Sequence, residues 1–331
     1  MEINILLIVI IVIALGFDYV NGFHDSANAI ATVVSTRALS PRQAVILAAA
    51  LNIAGAFLST HVAKTIGSGL VNAVEVTQIV ILSALIGAIL WNLITWYFGL
   101  PSSSSHALIG GLVGAVVIHS GVKVVHWWAI LDKVIIPGLA SPALGLFFGF
   151  LIMLALMWIF ARANPNKMNP IFRKLQILSA SFMALSHGTN DAQKTMGIIA
   201  LALFSGGYIS SFDIPLWVKI ACAVVMGLGT YAGGWRIIRT LGSKTVKIIP
   251  VQGIATDLAA STVLLGAAHF GFPVSTTHVI TASIMGAGAT RRLSAVRWGV
   301  ANNILNAWVM TLPAAAIVSA ICYKVLTIWI H

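Results

Sequence analysis

Gly99-Leu-Pro101-Ser-Ser-Ser-Ser-His106 returns further along the chain as Gly271-Phe-Pro273-Val-Ser-Thr-Thr-His278. In each copy a glycine and a proline close one apolar stretch. Hydroxyl residues and a histidine then open the next, Ala107-Leu-Ile-Gly-Gly or Val279-Ile-Thr-Ala-Ser. Proline interrupts a helix, and Ser or Thr caps the one that follows. Each copy therefore reads as a break between two helices, with hydroxyls and free backbone N–H groups at the new N-terminus. Such an end attracts anions, because unpaired donors and the positive end of the helix dipole point the same way. One copy alone would read as simple capping. Two copies, with their ends meeting near a midplane, would surround a compact oxyanion with neutral donors.

Outward from these segments the repetition continues. Gly22-Phe-His24-Asp25-Ser-Ala-Asn28-Ala-Ile answers His187-Gly-Thr-Asn190-Asp191-Ala-Gln-Lys194-Thr. The Asp25/Asp191 pair is 166 residues apart and the His106/His278 pair 172, while Trp127 and Pro142 recur as Trp298 and Pro313, each 171 residues on. The chain thus divides into two related halves, residues 1–161 and 175–331, joined by a basic segment at 162–174 that is expected as a cytoplasmic linker. With an odd number of crossings per half, the second copy enters the membrane from the other face. That is the inverted-topology repeat of secondary transporters.

The membrane itself follows from composition. Of 331 residues, 59% are hydrophobic and only 8% charged, too few charges to clothe a water-facing surface. Apolar spans are expected at about 3–21, 43–62, 77–98, 104–120, 128–160, 175–204, 215–235, 250–270, 275–290 and 295–328, many near the length that crosses a hydrocarbon core. The fold class is an all-α polytopic membrane protein with about 10–12 membrane segments. The runs at 128–160 and 295–328 would be about 50 Å long as single helices. With Pro137, Pro142 and Pro313 inside them, each is expected as a helical hairpin or broken helix followed by a full span.

The net charge of +11 sits in short loops and marks orientation rather than nucleic-acid binding. Arg37, Arg42, Arg162, Lys167, Arg173, Lys174, Arg236, Arg239, Lys244, Lys247, Arg291, Arg292 and Arg297 fall on one side, and Lys64, Lys123, Lys219 and Lys324 on the other. The positive-inside rule then makes the first side cytoplasmic and places both termini outside a plasma (inner) membrane. Met-Glu runs straight into Ile3–Leu15 with no basic region or cleavage site, so a retained first span is expected. Cys222 and Cys322 read as small buried hydrophobes.

Ionisable groups at membrane depth are costly and mark function. Of eight acids, Asp18, Asp25, Asp191 and Asp257 fall within spans, and only Asp25 and Asp191 are related by the repeat. Each has a polar side chain three residues on, Asn28 or Lys194, on the same helix face. An anion beside two carboxylates is repelled unless cations or protons intervene, which argues for cation-coupled transport. Lys194 would contact the anion or pair with Asp191. His24, His106, His187 and His278 lie at the motifs and are either proton relays or imidazoles bonded to backbone. Asp18 and Asp257 have no repeat partners and no assigned role.

These motifs together, Gly22-Phe-His-Asp25-Ser-Ala-Asn28, Ser186-His-Gly-Thr-Asn190-Asp191-Ala-Gln-Lys194 and both Pro-(Ser/Thr)-His segments, resemble the inorganic phosphate transporter family over essentially the whole chain. The resemblance implies phosphate as substrate and a homodimer. It implies that Asp25, Asn28, Asn190 and Asp191 hold the coupling cation, with Na⁺ as one candidate there, and that Ser103, Ser104, Ser105, Ser275, Thr276 and Thr277 bind phosphate. Sodium-coupled members usually carry Asn-Asp in both Asp motifs, whereas here the first is His24-Asp25. That departure resembles the bacterial low-affinity branch, which implies proton coupling and a divalent metal–phosphate complex as an alternative substrate form. No permanently bound cofactor is expected. A sulfate or other oxyanion symporter and an anion channel are the competing readings. An enzyme is disfavoured, because the sequence offers no nucleophile–base pair, metal-ligand cluster or nucleotide loop.

Overall fold

The structure, a computed structural model, describes residues 5–329. Ten long helices among them follow in order: α1 (Ile5–Ser35), α2 (Pro41–Gly55), α3 (Gln78–Phe98), α4 (Ser104–Ser120), α5 (Trp127–Ile159), α6 (Pro165–Ser205), α7 (Leu216–Ala232), α8 (Pro250–His269), α9 (Thr276–Ala289) and α10 (Trp298–Trp329). No β-strand forms among the described residues. Between α2 and α3 a short helix, His61–Lys64, runs into a π turn, Thr65–Gly69. The same pairing, Trp235–Arg239 into Thr240–Thr245, lies between α7 and α8. A 3₁₀ turn precedes α5 at Val122–Val124 and precedes α10 at Leu293–Ala295. One element order therefore runs twice.

The duplication reaches individual hydrogen bonds. Trp127 Nε1 donates to the carbonyl of Val122 at 2.9 Å, and Trp298 Nε1 to that of Leu293 at 3.1 Å. Packing then exchanges the halves. α1 lies against α7 and α6 against α2, while α4 lies against α10 and α9 against α5. Small residues allow these approaches. A Cβ on Gly110 or Gly114 of α4 would fall on the carbonyl oxygens of Leu312 and Ala316, and one on Gly286 of α9 on that of Leu146. α1 and α6 run antiparallel: Thr195 Oγ1 donates to Asp18 at one end of the pair, and Thr36 Oγ1 donates to Gln176 at the other.

Among the described residues, five helices are long and apolar enough to cross a membrane: α1, α3, α5, α8 and α10. A sixth span results if α7 and the short helix after it, bent by 58°, are one crossing. Large apolar side chains face outward, among them Leu139, Trp158 and Val309, whereas Asp18, His24, Asp25, His187, Asp191 and Lys194 are buried. A polar interior inside an apolar surface is the inverse of a soluble protein. The chain is a multi-pass membrane protein.

Two expectations are corrected. The runs at 128–160 and 295–328 are not hairpins: each is one continuous helix, α5 with a π turn at Leu131–Ile135 and Pro142 inside, α10 with Pro313 inside. An interior proline forfeits one backbone bond without ending a membrane helix, because neighbouring helices and local adjustment satisfy the freed group. The basic segment 162–174 leads into α6, which begins at Pro165. The span expected at 3–21 runs on to Ser35, which carries the first Asp motif into the middle of α1.

Candidate anion and cation site

α3 and α8 end alike. Gly99 (φ 66°) and Gly271 (φ 72°) take the left-handed conformation that favours glycine. After Gly99, the N–H of Leu100 returns to the carbonyl of Thr95 at 2.9 Å, and after Gly271, that of Phe272 returns to Ala267 at 2.8 Å. Pro101 and Pro273 follow, and the chain stays open until Ser103 and Ser275 cap α4 and α9. Their hydroxyls accept the N–H groups of His106 at 3.1 Å and His278 at 3.2 Å. The two new N-termini face each other. Ser105 Oγ of one donates to the carbonyl of Val274 beside the other at 3.0 Å, and the rings of His106 and His278 stand 5.0 Å apart.

α1 and α6 pass this junction unbroken and bring one carboxylate each. Ser104 Oγ donates to Asp25 Oδ2, and Thr277 Oγ1 donates to Asp25 Oδ1 at 3.2 Å. Thr276 Oγ1 donates to Asp191 Oδ2 at 3.3 Å. The Asn28 amide donates to both threonine hydroxyls, at 3.1 Å and 3.0 Å, and so ties the two carboxylates into one network. Each carboxylate also meets an imidazole. His24 Nδ1 lies 2.8 Å from Asp25 Oδ1, and His187 Nε2 lies 3.3 Å from Asp191 Oδ2. Lys194 Nζ is 2.7 Å from Asp191 Oδ1, with both side chains buried. One ligand atom from each of Asp25, His187 and Asp191 falls within 4.8 Å of the others.

The structure thus gathers Asp25, Asn28, Asp191, Lys194, Ser104, Thr276 and Thr277 around one point. Ser103 and Ser275 use their acceptor capacity as caps, and Ser105 braces the junction. Asn190 is buried with neither amide atom bonded, and the Asn28 carbonyl oxygen also lacks a donor. Together with the carboxylates these oxygens suit a hard cation. His106 and His278 sit at the helix ends but turn to a cavity of about 520 Å³ between α5, α9 and α10. There His106 makes no side-chain hydrogen bond, and His278 stacks on Trp308 at 4.0 Å.

Sequence reasoning passed over the groups behind the imidazoles. His24 Nε2 contacts Thr95 Oγ1 at 3.2 Å and Ser102 Oγ at 3.4 Å. His187 Nδ1 contacts Asn52, whose amide donates to Thr230 at 2.8 Å. Asn52 was visible as the one polar residue of the apolar run 44–58. Asp18 and Asp257 also pair across helices: Asp18 accepts from Thr195, and Asp257 accepts from Thr32 at 2.8 Å and Ser179 at 3.0 Å.

A buried junction of two helix N-termini, set beside two carboxylates in a multi-pass bundle, fits a membrane transporter. The family model described as phosphate transporter family matches residues 21–168 and 161–319. The chain belongs to that family. A relative from Rhizobium meliloti (strain 1021), described as "Probable low-affinity inorganic phosphate transporter", is 52% identical over 320 residues, 96% of each chain. One from Bacillus subtilis (strain 168) with the same description is 49% identical and covers 97% of each chain. A solved structure, "The sodium-dependent phosphate transporter", superposes with a TM-score of 0.90 at 26% identity, covering 99% of this chain and 100% of that one.

Proposed function

We propose that this protein imports inorganic phosphate together with a cation, by alternating access between two inverted halves, 1–161 and 175–331. The observation that carries the reading is the triad of hydroxyls Ser104, Thr276 and Thr277, set at two facing helix N-termini and each spending its proton on Asp25 or Asp191. While both carboxylates are charged, these donors are engaged and an incoming anion meets negative charge. A cation or proton bound at Asp25 releases the donors and removes the repulsion. Phosphate then docks against Ser103–Ser105 and Ser275–Thr277 at the positive helix ends. Binding of each ligand thus favours the other, which is the thermodynamic basis of coupling.

The imidazole on Asp25 favours protons as the coupling ion, delivered through His24, with His106 and His278 outside the relay. Sodium is the second reading. The similar solved structure is of a sodium-dependent transporter, and the unbonded oxygens of Asn28 and Asn190 suit that ion. Phosphate keeps a proton at neutral pH that sulfate lacks, and a carboxylate accepting it would select phosphate. The divalent metal–phosphate complex is the alternative substrate form. In this reading the carrier lies in the plasma (inner) membrane with both termini outside, as a homodimer. An anion channel fits less well, because the sites pair at a buried centre rather than ring a pore.

Radiolabelled phosphate uptake into liposomes of purified protein, with proton and sodium gradients imposed separately, tests the reading. Uptake driven by the proton gradient alone is expected. Uptake only with sodium would reassign the coupling ion, and none under either would refute phosphate symport.

A further inference from the structure

Asp25 and Asp191 are related by the repeat, and so are the residues three positions on, Asn28 and Lys194. In the structure these two positions do different work. The Asn28 amide group bridges Thr276 and Thr277 and leaves its carbonyl oxygen without a donor, although the side chain is buried. Lys194, equally buried, sets its ammonium 2.7 Å from Asp191. An ammonium withdrawn from water persists only beside compensating charge, and a carboxylate likewise. With ligand atoms of Asp25 and Asp191 within 4.8 Å of each other, the two like charges repel strongly in a dry interior. One ammonium offsets one of them. Around Asp25 the bonded groups are the hydroxyls of Ser104 and Thr277 and the imidazole of His24, with no lysine or arginine paired to it among the described residues.

We infer that Lys194 is a tethered cation: its ammonium stands, in the second half, where a mobile coupling cation binds in the first. Asp191 is then charge-balanced throughout the cycle, and only the Asp25–Asn28 side takes up and releases a cation. Of the two central carboxylates one is permanently paired, so a single coupling cation accompanies each phosphate. The internal repeat carries this asymmetry, and it applies whether the mobile ion is a proton or sodium. It rests on the transport reading above.

The test compares wild type with Lys194→Asn, the residue of the first half, in proteoliposomes, recording transport current and radiolabelled phosphate flux together. Removing the tethered charge opens a second mobile site, so Lys194→Asn is expected to shift the net charge moved per phosphate by +1 relative to wild type. An unchanged ratio in a transporting variant overturns the inference. If the variant does not transport, the wild-type coupling stoichiometry decides: one cation per phosphate upholds the inference and two or more overturns it. Absence of wild-type phosphate flux would overturn the transport reading and this inference with it, an outcome distinct from flux with an unchanged ratio.

Discussion

Asp25 and Asp191 occupy equivalent places in the two motifs, yet their surroundings make them unequal. Asp25 is held by neutral donors and an imidazole, so Asp25→Asn removes charge without orphaning an opposite one. Asp191→Asn leaves the Lys194 ammonium buried and unpaired, a change that typically costs about 3–5 kcal/mol. Both variants are expected to lose uptake, but only Asp191→Asn should unfold at clearly lower temperature in detergent. Equal melting of the two variants would argue against the Lys194 pairing. The hydroxyls admit a separate check. Replacing Ser104 and Thr277 by Ala should weaken phosphate binding more than cation binding, read by calorimetry with each ligand; equal losses would remove them from the anion site. The groups that meet at this candidate site were legible in the sequence, because carboxylates and clustered hydroxyls stand out in apolar spans. The roles of His187 and Asn52 were not. They depend on α2 lying against α6, a contact 135 residues apart in sequence.

At the scale of the helix, the breaks and the close approaches carry the design. Gly99 and Gly271 let α3 and α8 end where Pro101 and Pro273 forbid continuation, and the capping serines start the helices whose ends face each other. The approach of α4 to α10 and of α9 to α5 rests on glycines that leave no room for a side chain. Gly114→Ala would push a methyl onto the Ala316 carbonyl, and Gly286→Ala would do the same at Leu146. Each is expected to cost about 1–3 kcal/mol, as overpacked cores do. Thermal unfolding should register the losses as similar, since the contacts are repeat equivalents; a silent Gly114→Ala would mean that α10 is free to shift. Sequence patterning located these helices well and misjudged their lengths. Proline marked α5 and α10 as broken, but in an apolar bundle neither Pro142 nor Pro313 ends the helix. The Asp motifs lie within α1 and α6, which carry them straight through, the polar faces turned to each other.

For the whole molecule, the antiparallel run of α1 beside α6 and the exchange of helices between halves support an inverted pair. Cysteines placed at Lys123 and Arg292, in equivalent turns before α5 and α10, would then react with an impermeant thiol reagent from opposite faces of right-side-out vesicles. Labelling of both from one face would rule out inversion and the predicted topology together. The exchange also packs the two halves into each other: α4 sets Gly110 and Gly114 against α10, and α9 sets Gly286 against α5.

The sequence by itself determined that the chain lives in a bilayer and that its motifs recur in a second half, and it pointed to carboxylates and hydroxyl-rich helix starts as the candidate site. Those conclusions rest on composition, on spacing and on the cost of burying charge, all of which are local or additive along the chain. The tertiary structure alone decided which of these groups meet. It set Ser104 on Asp25 but Thr276 on Asp191, turned His106 and His278 away to a lateral cavity, brought His187 to Asp191 and closed Lys194 onto one carboxylate of the pair. Such choices depend on how helices far apart in sequence cross and which faces they present, and no periodicity within a single segment encodes that.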